Sequence, residues 1–216
     1  MNRRISFWSL GVLSALLLVA GKVVAQDGHA REVHFSGLLN DYTPSTVANG
    51  PYEMRGSWTL ELNRETGRAN FFAEMNMETS DYGTTNGVVD PKNPATRGAH
   101  THHIAVTDAD VTWNLTGCPA FSPAAKQGFQ FTKTVSLITG NGSKAPFEKT
   151  ATPTSVLQVC VSGGSFGDPA SLPYTNVTMT FVPQASGAAS PAASHFGSQA
   201  IHGVVNKVSR EGDEDR

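Results

Sequence analysis

Over residues 68–78 the apolar side chains recur at every second position. Ala69, Phe71, Ala73, Met75 and Met77 fall on one face; Asn70, Glu74, Asn76 and Glu78 fall on the other, with Phe72 the exception. A repeat of two is the period of a strand with one buried face, whereas a helix repeats every 3.6 residues. Just upstream, Trp58, Leu60 and Leu62 alternate with Ser57, Thr59 and Glu61, and Asn63-Arg64-Glu65-Thr66-Gly67 joins the two runs. Alternating runs on either side of a short Gly-ending loop predict a β-hairpin.

The same reading predicts strands over residues 32–39, 129–139, 155–161, 176–182 and 201–208. It also predicts a second hairpin, residues 100–107 and 111–115, turning at Asp108-Ala109-Asp110. No window carries helical periodicity. The expected fold class is all-β: a single antiparallel β-sandwich or β-barrel of about nine strands with long loops. Those loops span residues 41–54, 79–99 and 184–194, the last of low complexity and expected to be mobile. Trp58 and Trp113 are expected in the core. Tyr42, Tyr52 and Tyr82 are placed in or beside loops, where they line a carbohydrate or small-molecule groove or, the commoner case, cap an end of the fold.

The first residues carry an address. Arg3 and Arg4 precede an apolar run from Leu10 to Ala20, and Val23-Val24-Ala25 precedes Gln26. Charge, apolar stretch and small-residue site, in that order, predict a signal peptide cleaved near Ala25. The run is shorter than the roughly 20 apolar residues a membrane span requires. The expected organisation is a leader over 1–25, one β domain over 26–209 and a disordered charged tail over 210–216. The expected location is secreted or periplasmic, with no integral membrane segment after cleavage. Losing Arg3, Arg4 and Lys22 with the leader takes the formal charge from −2 to −5. A chain with that balance and no basic patch is a poor partner for nucleic acid.

Cys118 and Cys160 are the only two cysteines. In an exported chain such a pair predicts a disulfide. Isolated cysteines lack the neighbouring sulfur of a thiolate metal site.

The densest chemistry is Ala99-His100-Thr101-His102-His103-Ile104, which holds three of the seven histidines. On a strand, His100 and His102 share one face and His103 takes the other. Positions i and i+2 lie about 6.5–7 Å apart, so two imidazoles can reach one ion, each through a neutral nitrogen. A further ligand is needed. His103 of the same cluster, His34, His195 and His202 are the candidate imidazoles and Glu74 a candidate carboxylate, and the expected cofactor is a transition metal, zinc or copper.

Gly163-Gly164-Ser165-Phe166-Gly167 matches the G-x-S-x-G elbow of serine hydrolases. The elbow requires a strand–turn–helix, and Asp168-Pro169-Ala170-Ser171-Leu172-Pro173 downstream has no helical pattern, so it reads as a Gly-rich loop. Three Asn-x-Ser/Thr triplets, at Asn114, Asn141 and Asn176, are given no role. The sequence thus predicts an exported β domain that binds a metal or small ligand through histidines. A metal-dependent enzyme using the same histidines and a purely structural domain are the alternatives.

Overall fold

The computed structural model describes residues 31–47, 51–79, 100–118, 127–140, 154–163, 175–182 and 190–211. The leader, the Gly-rich loop at Ser165 and most of the expected loops at 79–99 and 184–194 lie outside the described residues, as do Tyr82 and residues 212–216.

The alternation over 57–78 forms the expected hairpin, β2 (Tyr52–Asn63) and β3 (Arg68–Thr79). Across it Trp58 faces Ala73, Leu60 faces Phe71 and Leu62 faces Ala69, large against small or ring against branched chain. The turn is made by side-chain chemistry. Asn63 Oδ1 accepts from the backbone N–H groups of Glu65 and Thr66 at 3.1 and 2.9 Å, and Gly67 takes the left-handed φ of 63° that closes it. Phe72, the exception in the pattern, faces outward and stacks on His103.

The other strands are β1 (Glu32–Tyr42), β4 (His100–Asp110), β5 (Gly128–Thr134), β6 (Leu137–Gly140), β7 (Val156–Ser162), β8 (Asn176–Val182) and β9 (Ile201–Arg210). A short helix, α1 (Pro191–Phe196), precedes β9. All pairings are antiparallel, in the order β5-β7-β8-β9-β1-β2-β3-β4-β6. The two outermost strands, β5 and β6, are separated in sequence only by Val135 and Ser136, so the chain itself draws the sheet's edges together. Thr112 and Gln130 exchange two backbone hydrogen bonds, at 2.8 and 2.9 Å, tying the segment after β4 to β5. The result is a curled, barrel-like sheet. Its interior is crossed by ring contacts such as Phe35–Phe129 at 5.5 Å and Phe71–Phe131 at 6.3 Å. No helix among the described residues is long and apolar enough to cross a membrane.

The structure corrects several expectations. Asp108-Ala109-Asp110 does not turn the chain. Asp108 takes a left-handed φ of 54° inside β4 and donates its N–H to Asn70 Oδ1 at 2.9 Å, where the β3–β4 register shifts. The turn-forming residues are absorbed as a β-bulge, because Ala109 is buried opposite Ala69 and Arg68 reaches Asp110 at 2.9 Å. The run 129–139 is two strands, since Ser136 breaks the pairing and donates both N–H and Oγ–H to Ala105 O. β1 extends to Tyr42 and β2 begins at Tyr52, so the loop expected over 41–54 is shorter than its Pro and Gly content implies. β9 continues through Arg210, within the stretch expected as tail. Trp58 is buried as expected, but Trp113 is 40% exposed, its ring 5.6 Å from that of Phe129.

The predicted disulfide is present, linking Cys118 to Cys160 across 42 residues. It pins the segment after β4 onto β7, and Gln130 of β5 holds the same segment, its Nε2 donating to Thr116 O at 2.7 Å.

Candidate metal centre

His100 and His102 lie two residues apart near the start of β4, with Met77 and Met75 opposite them on β3. Their neighbours Thr101 and His103 point away, and the period of two aims both imidazoles inward, where they are 5% and 1% exposed. The third member comes from α1. Ser190 caps this helix, its Oγ accepting from Ala193 N at 3.1 Å, and Pro191 occupies the first turn. Phe196 anchors it, stacked on Phe181 of β8 with centroids 4.8 Å apart and set edge-on to His102 at 4.9 Å. That seating turns His195 toward the sheet interior.

The three rings converge. His195 Nε2 lies 2.9 Å from His100 Nε2 and 3.1 Å from His102 Nε2, and one ring nitrogen of each histidine falls within 4.8 Å of the others. Nitrogens around a tetrahedral ion at Zn–N distances near 2.0–2.1 Å would stand about 3.3 Å apart, close to this spacing. His102 Nδ1 is 3.0 Å from Thr139 O. A carbonyl only accepts, so Nδ1 carries the proton and Nε2 presents its lone pair to the cluster. A backbone carbonyl holding the far nitrogen is the usual support for a metal-binding histidine. A single N–H on His195 Nε2 cannot point at both neighbouring nitrogens, whereas one cation can accept all three lone pairs.

The electrostatics favour neutral rings. Burial, then the neighbouring His195 and His100, lowers the His102 pKa to about 3, against the opposing pull of the Thr139 carbonyl. Burial, then His100, lowers His195 to about 4. Among the described residues no carboxylate belongs to the group. Tyr52 completes the wall, its ring edge-on to His100 at 5.4 Å and its hydroxyl pKa raised by burial.

The other candidates stand apart. His34 faces Glu61 at 4.0 Å, His103 faces Glu74 at 3.6 Å and His202 faces Asp41 at 2.7 Å, all with substantially exposed side chains. Each of these three has a carboxylate partner. Of the candidate third ligands, the structure brings His195 to His100 and His102, and not His34, His202 or Glu74; His103 lies on the opposite face. Sequence reasoning missed Thr139 and Phe196, and placed Tyr52 in or beside a loop, whereas it is buried at the start of β2. Thr139 acts through its carbonyl, which no residue type signals, and Phe196 was legible only as the residue after His195. A groove lined by Pro44, Val47, Ser194, Gly197 and Gln199 runs beside α1, and none of the three histidines lines it.

The chain matches no protein-family model, no curated protein and no solved structure.

Proposed function

We propose that this is an exported β-barrel protein that binds a single transition-metal ion, zinc or copper, through His100, His102 and His195. The observation that carries the reading is the convergence of three largely buried imidazoles with Nε2 contacts of 2.9 and 3.1 Å. Imidazole suits both metals, and geometry and availability rather than raw affinity separate them. The leader-like first 25 residues and the Cys118–Cys160 disulfide support an extracytoplasmic setting.

Three protein ligands leave one position of a tetrahedral ion open, the arrangement of catalytic rather than structural zinc. That feature favours a metal-dependent enzyme as the second reading.

Elemental analysis of protein purified without chelators tests the proposal. The wild type is expected to carry about one ion per chain, as a single three-histidine site would, and the His100→Ala, His102→Ala double variant to carry none. Equal metal content in the two proteins would end the reading.

A further inference from the structure

The wall beside the histidines is built of thioethers. In the sheet register Met77 is directly opposite His100, Met75 is directly opposite His102, and Met54 on β2 is directly opposite Met77. All three methionines are fully buried, while Glu74, Asn76 and Glu78 between and beside them on β3 are exposed. Met75 and Met77 therefore share the inner face with His100 and His102. Directly opposed residues hold their Cβ atoms about 4.5–5.5 Å apart, which places both sulfurs within side-chain reach of the imidazole cluster.

The placement is selective. Deeper along the same face β3 carries Ala73, Phe71 and Ala69, and β2 carries Trp58, Leu60 and Leu62. Of the five methionines in the chain one is Met1, and three of the other four occupy the two cross-strand rows that contain His100 and His102. Methionine fills irregular gaps in many cores, but packing alone gives no reason to confine it to the rows that meet the imidazoles. Ligand chemistry gives one. Thioether sulfur is a soft donor that selects Cu(I), whereas imidazole alone serves several metals.

We infer that the ion of this site is copper, held as Cu(I) by His100, His102 and His195 with a thioether from Met75 or Met77 in the remaining position. The inference rests on the reading that the three histidines bind a metal. It replaces the open position of an enzyme with a protein ligand, and so favours copper binding over catalysis.

X-ray absorption of the full-length protein loaded with Cu(I) under ascorbate tests it directly. A sulfur shell is expected in the wild type and is expected to vanish in the Met75→Leu, Met77→Leu double variant. Leucine for methionine nearly conserves volume, so the variant is expected to fold. In competition with a Cu(I) chelator its affinity should fall at least about tenfold, the low end of what even outer-shell changes cost, while Zn(II) affinity stays unchanged. A nitrogen-only shell in the wild type, or equal Cu(I) affinity in the two proteins, would overturn the inference and leave the metal site standing. A wild type that binds neither Cu(I) nor Zn(II) would remove both.

Discussion

His102 donates its Nδ1–H to the carbonyl of Thr139 at 3.0 Å, and this bond aims its Nε2 at His195. The two nitrogens have separate tasks, one structural and one chemical. His102→Asn keeps a donor near the Nδ1 position and deletes Nε2. The variant is expected to stay folded, within about 1–2 kcal/mol of the wild type by urea titration. Its metal affinity is expected to drop by about a hundredfold or more in chelator competition, at or beyond the upper end of outer-shell effects. Wild-type affinity in this variant would show that Nε2 is not a ligand.

The metal-free protein should lose stability as the pH is lowered through the weakly acidic range. His102 and His195 have folded pKa values of about 3 and about 4, against 6.5 for the ordinary side chain. Below pH 6.5 the unfolded chain binds protons that the folded chain refuses. Stability is therefore complete above that pH and declines toward pH 4, by up to about 1.4 kcal/mol per pH unit for each histidine. Urea titrations of chelator-treated protein at pH 6.5 and 5.0 measure the slope. The His102→Ala, His195→Ala variant should show a shallower one; equal slopes would mean these rings titrate normally in the fold.

Gly37 makes room for Trp58. The Trp58 indole donates to Val204 O at 3.2 Å, and a Cβ on Gly37 would stand 1.8 Å from that same oxygen and 2.8 Å from the indole nitrogen. Gly37→Ala must displace either the indole or the β1–β9 pairing. A loss of about 2–4 kcal/mol is expected, in the range of overpacked or strained core changes, with altered tryptophan fluorescence. A variant as stable as the wild type would show that β9 shifts at little cost.

The disulfide should matter to stability and not to the site. Closing a loop across 42 residues is worth about 4 kcal/mol in the chain-entropy account. No ligand histidine lies on β5, β7 or the segment around Cys118. A Cys118→Ser, Cys160→Ser variant is expected to unfold at lower denaturant concentration by up to that amount, with metal affinity unchanged. A parallel loss of affinity would reveal coupling between the bridge and the histidines.

Much of this protein was legible from residue order alone. Alternation with a period of two marked the β2–β3 hairpin and the all-β class, because side-chain direction in a strand depends only on position parity. The same parity put His100 and His102 on one face and His103 on the other. Two cysteines in a chain with a leader-like start were enough to pair Cys118 with Cys160. Tertiary structure decided the rest. His195 is 93 residues from His102, on a helix of six residues whose seating depends on the Ser190 cap and on Phe196 stacking against Phe181. Nothing local distinguishes it from His34 or His202. The fate of Asp108 was likewise set at a distance, by the burial of Ala109 against Ala69 and the Arg68–Asp110 contact, which made a bulge where turn chemistry favoured a reversal. Strand direction and face are properties of neighbouring residues, so sequence carries them; which distant side chains meet depends on how the whole sheet curls.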